Sequence, residues 1–321
     1  EMSASLVGSE MCIRDSLWAV LAALTLLTQS CDHKELCYRN EHHTELEIKF
    51  DWSNAPDAQP RTMVVQLFRM DGSHYQRREF TSREGGTISI ESGEYKILFH
   101  NGEMASVDER GDTFDNYLLA TVPQPLLDPM GRGDLSTPPL PEGAEGQPVR
   151  SVPASVWGGK CSYLQVQENV SGQSLTLTPE TATVEYTVEV RNVENLSDLI
   201  DFSAALSGMS EGWSPADGQP AGEPVVMPLE MQRHTDEKML VAHFASFGHC
   251  PHGQEGKHVL TIYTSSQKYF HNDVTEQLHA AADPAHILIV IDGLKIPSDD
   301  GGMSPDISGW DNVVETDIDM N

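Results

Sequence analysis

The chain has little positive charge, few cysteines and no long apolar run, and each shortage removes a class of function. Of its 321 residues only 20 are Lys or Arg against 49 Asp or Glu, a formal net charge of −29. Nucleic-acid binding needs a basic face to neutralise phosphates, so it is excluded. Electrostatic docking onto anionic lipid fails for the same reason, and the acidity reads as a soluble, self-repelling surface. The one sustained apolar run, residues 17–27, is 11 residues long, well short of the roughly 20 that a spanning helix needs. Cysteines number five and nowhere form Cys-x-x-Cys, which argues against a zinc ribbon or a dithiol redox motif. No His-Glu-x-x-His helix or glycine-rich phosphate loop is present, and carboxylates are too numerous to nominate a glycosidase pair. The expectation is a non-enzyme with no cofactor.

What is there begins with an address label. The apolar stretch from Leu17 to Leu27 runs into Thr28-Gln29-Ser30-Cys31. An h-region of about 7–15 residues ending on a small residue and a cysteine reads as a lipoprotein signal, with Cys31 the acylated first residue of the mature chain. The polar run Asp32-His33-Lys34-Glu35 then suits an exposed tether. Residues 1–16 lack the clustered basic residues of an n-region, resemble translated sequencing-adaptor read-through, and are set aside as artefact. With Cys12 in that segment and Cys31 lipidated, Cys37, Cys161 and Cys250 remain. Three thiols cannot all pair, and an exported location permits one disulfide, Cys37 with Cys161, without demanding it.

From Thr44 onward the pattern is that of short strands. Leu46, Ile48, Phe50 and Trp52 share one face of a strictly alternating segment, the period of a half-buried strand. Further strands are expected at Met63–Met70, His74–Phe80, Thr87–Ile90 and Glu94–His100, divided by Asp71-Gly72, Gly85-Gly86 and Ser92-Gly93. Turns at this spacing indicate a β-sandwich. Residues 122–153 are rich in Pro and Gly and read as linker or loop. A second β-block follows, with strands at Gln173–Thr178, Thr181–Asn192, Met239–Phe247, His258–Ser265 and Ala285–Ile291. Leu196–Leu206 is the best helix candidate, with a short second one at Asn272–Ala281, and residues 209–224 read as a Pro/Gly-rich insertion. Trp310, Val313, Val314 and Ile318 make the acidic tail too apolar for disorder, so a terminal strand is expected over Asn312–Met320.

The organisation expected is therefore a signal h-region and lipobox at 17–30, a tether at 31–43, an N-terminal sandwich at 44–121, the 122–153 linker, and a C-terminal sandwich at 154–321. The chain is all-β, with short helical insertions.

Five features invite a chemical reading. His249-Cys250-Pro251-His252, with His243 and His258 nearby, is dense in metal-ligand types. Zinc would take three or four such groups converging tetrahedrally, although loop histidines are more often simply solvated; His249, Cys250 and His252 are the candidate ligands. Cys37 with His33, His42 and His43 is a weaker cluster, read as a mobile stem. Asp299, Asp300, Asp306, Asp311, Asp317 and Asp319 lack the spacing of a calcium loop and read as a solvated face. Arg132-Gly133-Asp134 is a three-residue match to an integrin motif and nearly uninformative. Trp157, Trp213 and Trp310 could stack on sugars or equally pack in the core.

Several segments together carry a family resemblance: Cys31-Asp32-His33-Lys34-Glu35-Leu36-Cys37-Tyr38, Phe50-Asp51-Trp52, Gly85-Gly86-Thr87-Ile88, Ile291-Asp292-Gly293-Leu294-Lys295-Ile296-Pro297 and Gly309-Trp310-Asp311-Asn312-Val313. On these the chain resembles a family of Bacteroidales lipoproteins bearing a domain of unknown function, related to fimbrillin-like and minor-fimbria anchor proteins. The resemblance implies two tandem transthyretin-like, Greek-key β-sandwiches. It also implies a lipid-anchored place on the outer membrane, surface-exposed, as anchor, tip or accessory subunit of a fimbria, with fimbrillin-like subunits as partners. No catalytic residues come with it. The expected function is adhesion or surface assembly through an open sheet edge. The alternatives are a glycan-binding lipoprotein of a polysaccharide-utilisation system and, third, a metal-binding lipoprotein.

Overall fold

The structure, a computed structural model, describes residues 43–131, 138–253, 255–297 and 310–312. The lipobox and Cys31, Cys37 with its histidine neighbours His33 and His42, Arg132-Gly133-Asp134, and nearly all of the acidic tail lie outside the described residues. Of the expected tail strand only Asn312 is described, as the second residue of Asp311–Asn312 (β19).

The protein is all-β, and its described strands form four sheets. Alternation in His43–Phe50 (β1) buries Leu46, Ile48 and Phe50. β1 pairs antiparallel with Gly85–Glu91 (β4) and parallel with Gln173–Leu177 (β9). Facing this three-stranded sheet is a five-stranded one. Met63–Arg69 (β2) and Gly93–Asn101 (β5) are central, His74–Phe80 (β3) is one edge, and Trp157–Val166 (β8) with Glu180–Thr181 (β10) forms the other side. Their common core holds Phe50, Trp52, Met63, Val65, Leu67, Ile97 and Phe99.

The second pair of sheets repeats the device of a first strand lying parallel to a last one. Val184–Arg191 (β11) pairs parallel with His286–Asp292 (β18) and antiparallel with Met239–Ser246 (β15), which carries the short Gln232–His234 (β14). The opposing sheet is built on Phe202–Ser214 (β12), flanked by Gln219–Glu230 (β13) on one side and by Val259–Thr264 (β16) and Leu118–Thr121 (β7) on the other. Val107–Arg110 (β6) extends it beyond β7, and Lys268–Asp273 (β17) beyond β16. One short helix, Thr275–His279 (α1), follows β17, where a turn of helix was expected.

Sheet membership does not follow chain order. β8, β9 and β10 come after the Pro-rich segment yet complete the first pair of sheets, while β6 and β7 come before it and join the second. A separate cluster of Phe68, Leu98, Phe114, Tyr117, Leu119, Trp213 and Phe247 fills the space between β2–β5 and the end of β12. Both faces of β2 are thereby buried, so it reads as a continuous apolar run.

Two expectations about local structure are corrected. Leu196–Leu206 is not a helix: its second half opens β12, and Leu199, its central apolar residue, is 91% exposed. Phe202, Ala204 and Leu206 face one core while Ala205 enters another. A strand buried on both faces loses its alternation and imitates helical spacing. Residues 209–224 are not an insertion but the distal half of the β12–β13 hairpin. Pro220, Pro224 and Pro228 sit in β13, which among the described strands pairs with β12 alone, and an edge tolerates the missing donors. The described residues of 122–153 form no long element, as expected of a loop, and they are packed. Leu126, Leu127 and Ala144 bury against Ala205, Val226 and Tyr263, and Arg150 N donates to Val226 O across 2.9 Å. β8 escaped the sequence reading because Gly158 and Gly159 interrupt its pattern; a Cβ at Gly158 would lie 2.4 Å from Phe99 O, so the close approach of β5 demands glycine.

Candidate functional site

The end of the second pair of sheets brings four metal-ligand side chains together. β15 ends at Ser246, and the chain turns through His249 and Cys250 into a 3-10 turn at Pro251–Gly253. Cys250 and His252 take φ of 55° and 58°, a left-handed conformation costing about 1–3 kcal/mol at a non-glycine residue unless its surroundings enforce it. His258 stands just before β16, fully buried. His279 is the last residue of α1. The Cys250 Sγ lies 3.3 Å from His258 Nε2 and 3.2 Å from His279 Nε2, and the two Nε2 atoms are 3.2 Å apart. His249, Cys250 and His279 each bring a ligand atom within 4.8 Å of the others. The His249 ring stacks on His279 with centroids 5.7 Å apart.

The surroundings orient these groups. His258 Nδ1 donates to the Ser207 carbonyl at 3.0 Å, which leaves Nε2 as the lone-pair nitrogen facing the cluster. Gly208 beside it has φ of +75°, and a Cβ there would lie 2.6 Å from His258 Nδ1. Tyr186 Oη lies 3.1 Å from His249 Nδ1 and holds that ring. Burial first, then His258 and His279, push His249 down to about 4. Burial also lowers His258, with the Ser207 carbonyl opposing and His279 assisting. His249 and His258 are therefore neutral near pH 7. His249, Cys250 and His252 also line an open cleft of about 580 Å³ with Asp217, Gln219 and Pro220.

Two of the three ligands expected from sequence, His249 and Cys250, are thus in the cluster. His252 is not: it is exposed on the outside of its turn. His243 faces Thr187 Oγ1 on the sheet surface, 3.1 Å away. His279 carried no signal, being 29 positions from Cys250 on a five-residue helix. Cys161 and Cys250 are free thiols, and Cys37, the other half of the permitted bridge, lies outside the described residues.

A second polar cluster joins β5 to β6 and β7. Fully buried His100 donates through Nδ1 to Asn101 O at 2.8 Å, and its Nε2 meets Tyr117 Oη at 2.9 Å. Glu109 approaches Gln66 Nε2 at 2.7 Å and Arg77 Nη2 at 3.1 Å. Burial, the dominant cause, holds His100 below its ordinary 6.5. The unfolded chain takes up this proton near pH 6.5 and the native state does not, so stability falls as pH drops. The slope is up to about 1.4 kcal/mol per pH unit for one proton. Burial raises Glu109, but Arg77, His100 and Tyr117 together outweigh it and leave it low. Its contribution is lost only as pH falls below the ordinary 4.5, outside the histidine window. Chemical denaturation between pH 7 and pH 5 is expected to show falling stability in the native protein and a shallower fall in His100→Gln. Parallel profiles would remove His100 from the explanation.

The pentad Gly208-Met209-Ser210-Glu211-Gly212 has the Gly-x-Ser-x-Gly spelling of a nucleophile elbow. An elbow exposes its serine at a strand-to-helix turn, whereas Ser210 is fully buried inside β12, its Oγ without a hydrogen-bond partner. The tryptophans are packed as well. Trp213 is buried, Trp157 leans on the first core, and Trp310 meets Tyr263 edge-on. Of the three, Trp213 has no face left for stacking on a sugar, while Trp157 and Trp310 are half-buried.

The remaining candidate is a sheet edge. β18 reads His-Ile-Leu-Ile-Val-Ile-Asp, pairs only with β11 among the described strands, and leaves Leu288 48% exposed. Gln277 from α1 reaches its outer side, donating to Val290 O at 3.0 Å and accepting from Val290 N at 2.8 Å. Strand alternation then turns the backbone of His286, Leu288 and Asp292 the same way. By contrast β3, another long edge, carries Arg77 and Arg78, the charged blunting that discourages strand addition.

The comparisons with known proteins fit this architecture. A family model described as "Domain of unknown function (DUF5119)" matches residues 30–230, more than half of the chain. The chain belongs to the DUF5119 family. No curated protein sequence matches it. Among solved structures, the DUF5119 chain is similar to a candidate adhesin from Bacteroides ovatus, at 16% identity and a TM-score of 0.58, covering 79% of this chain and 93% of that one. The fimbrial anchor protein Mfa2 from Porphyromonas gingivalis aligns at 14% identity and a TM-score of 0.50, over 77% of this chain and 90% of that one. A candidate polysaccharide-binding protein from Bacteroides thetaiotaomicron aligns at 11% identity and a TM-score of 0.50, over 78% and 91%. At these identities the DUF5119 chain shares a fold with them. No helix among its described residues is long and apolar enough to cross a membrane.

Proposed function

We propose that this chain is a non-enzymatic cell-envelope lipoprotein, acylated at Cys31 and held at the outer membrane. It acts as anchor or accessory subunit of a fimbria-like surface assembly. The observation that carries the reading is β18, a seven-residue apolar edge with its outer backbone groups turned away from the sheet. A strand from a fimbrillin-like subunit laid along it gains a ladder of backbone hydrogen bonds, with side-chain contacts for selectivity. Gln277 already supplies one such pair of bonds at Val290. The shared fold with an anchor protein and an adhesin, the lipobox, and a net charge of −29 that keeps lipid contact to the acyl chains support the same reading.

Tethering is tested by metabolic labelling with a clickable palmitate analogue and by fractionation. Native protein is expected to carry the label and sediment with membranes, and Cys31→Ala to lose both. A Cys31→Ala protein still membrane-bound would defeat the anchor reading. Partner binding is tested by co-purifying the full chain with co-expressed fimbrillin-like subunits; no capture would defeat that half.

A further inference from the structure

We propose that His249, Cys250, His258 and His279 form a four-coordinate zinc site that pins the loop after β15 and the helix α1 to the start of β16. The inference is independent of the anchor reading. Tetrahedral zinc with Zn–S of about 2.3 Å and Zn–N of about 2.0–2.1 Å places its ligand atoms about 3.3–3.6 Å from each other. The separations among Cys250 Sγ, His258 Nε2 and His279 Nε2 are 3.3, 3.2 and 3.2 Å. Those contacts are within about 0.4 Å of the edges of such a tetrahedron, and His249 brings a ligand atom within 4.8 Å of Cys250 and His279, a looser approach that a bound ion would draw in.

The donor set selects the metal. One thiol and three imidazoles, with no carboxylate among them, are the ligands of zinc and its neighbours in the transition series rather than of calcium or magnesium. The outer shell is of the kind that metal-bound histidines use. His258 gives its other ring N–H to a backbone carbonyl, Ser207 O, and His249 is held by Tyr186; such partners fix ring orientation and tautomer. Gly208 leaves room for the His258 ring. Left-handed φ at Cys250 turns its side chain toward the histidines at a backbone cost that a bond to metal offsets. Four protein ligands fill a tetrahedron, which makes the site structural. It would tie the 247–253 loop to the start of β16 and the end of α1, whose Leu260 and Leu278 already share a core.

The test uses the purified full chain. Metal analysis after dialysis is expected to find close to one zinc per chain. Replacement by cobalt is expected to give the visible bands of a tetrahedral ion and the near-ultraviolet charge-transfer band of a thiolate ligand. Cys250→Ser is expected to lose the charge-transfer band. His279→Ala, at an exposed position that leaves the core intact, is expected to weaken binding at least tenfold and to abolish the rise in melting temperature that zinc gives the native protein. His252→Ala, outside the cluster, is expected to bind as the native chain does, which separates this site from the one the local sequence suggests. Failure of the native protein to take up zinc or cobalt would overturn the proposal. So would undiminished binding in both Cys250→Ser and His279→Ala, or a charge-transfer band that survives loss of the Cys250 thiol.

Discussion

Replacing Glu211 with alanine is expected to destabilise the protein by about 3 kcal/mol, the low end of the cost of breaking a buried ion pair from one side. Glu211 projects from β12 with 10% of its side chain exposed, and its Oε1 lies 2.6 Å from Arg110 Nη1 and 3.0 Å from Arg150 Nη2. Its Oε2 accepts from the backbone of Glu223 at 3.4 Å, and Thr121 Oγ1 donates to its carbonyl at 2.9 Å. The carboxylate therefore ties β12 to β6, to the Pro-rich segment and to β13. Alanine leaves Arg150, 17% exposed at its side chain, with an uncompensated charge, whereas Arg110 at 38% recovers hydration. That partial recovery is why the low end applies. A unit of this size loses about 2–4 °C per kcal/mol, so calorimetry should show the midpoint falling by about 6–12 °C. Glu211→Gln keeps acceptors in place and should recover part of the loss. Removing both ends in Glu211→Leu/Arg150→Leu should cost less than the sum of the singles, because the stranded charge is gone. Additive losses would mean that the pair is not coupled.

The strands of this fold were legible where one face is wet and illegible where both are dry. β1, with Glu45, Glu47 and Lys49 alternating against Leu46, Ile48 and Phe50, announces its face and its length. β12 has no wet face: all thirteen of its residues are buried, so Phe202, Ala204, Ala205 and Leu206 match a helix as well as a strand. Partner choice was hidden for a different reason. β8 leaves its neighbours in sequence to pair with β5, and the residues that permit it, Gly158 and Gly159, weaken strand propensity locally while solving a contact with Phe99. The packing of residues 122–153 was equally invisible, since proline density reports the absence of regular structure and not the burial of Leu126 and Leu127.

The cysteine–histidine cluster was half legible. His249 and Cys250 are adjacent, so composition alone marks them, but the same density drew in His252, which the turn at Pro251–Gly253 throws outward. What assembles the other half is tertiary. β16 pairs with β12 at Leu206–Leu260, which brings His258 to Ser207, and α1 follows β17 back to the same corner with His279 at its end. No spacing rule spans 29 residues and three elements. The buried network around His100 left no mark at all, because Gln66, Tyr117 and Glu109 look like ordinary surface residues until β6 and β7 close over β5.

Two adjacent proline substitutions in β18 are expected to give opposite results, and their contrast tests the open edge directly. Val290 turns its N–H and C=O toward Gln277, so Leu288, two residues away, also directs its backbone outward, while Ile289 points its own at β11. In Ile289→Pro the lost donor belongs to the β11 ladder, and Ile289 is fully buried in the core with Tyr186, Val188 and Ile262. The cost should be at least about 3 kcal/mol, by the same loss of a hydrogen bond and steric clash that proline brings to a helix interior, and a melting curve should show it as the larger drop. Leu288→Pro removes a donor that no described strand uses, and an edge accepts proline there. Its melting temperature should fall by only a few degrees. A partner strand running along β18 would nevertheless need that N–H, so capture of the fimbrillin-like subunit should drop at least tenfold while the fold stays intact. Retained capture with Leu288→Pro would move the docking edge elsewhere. A severe loss of stability would show that the outer side of β18 is already occupied within the protein.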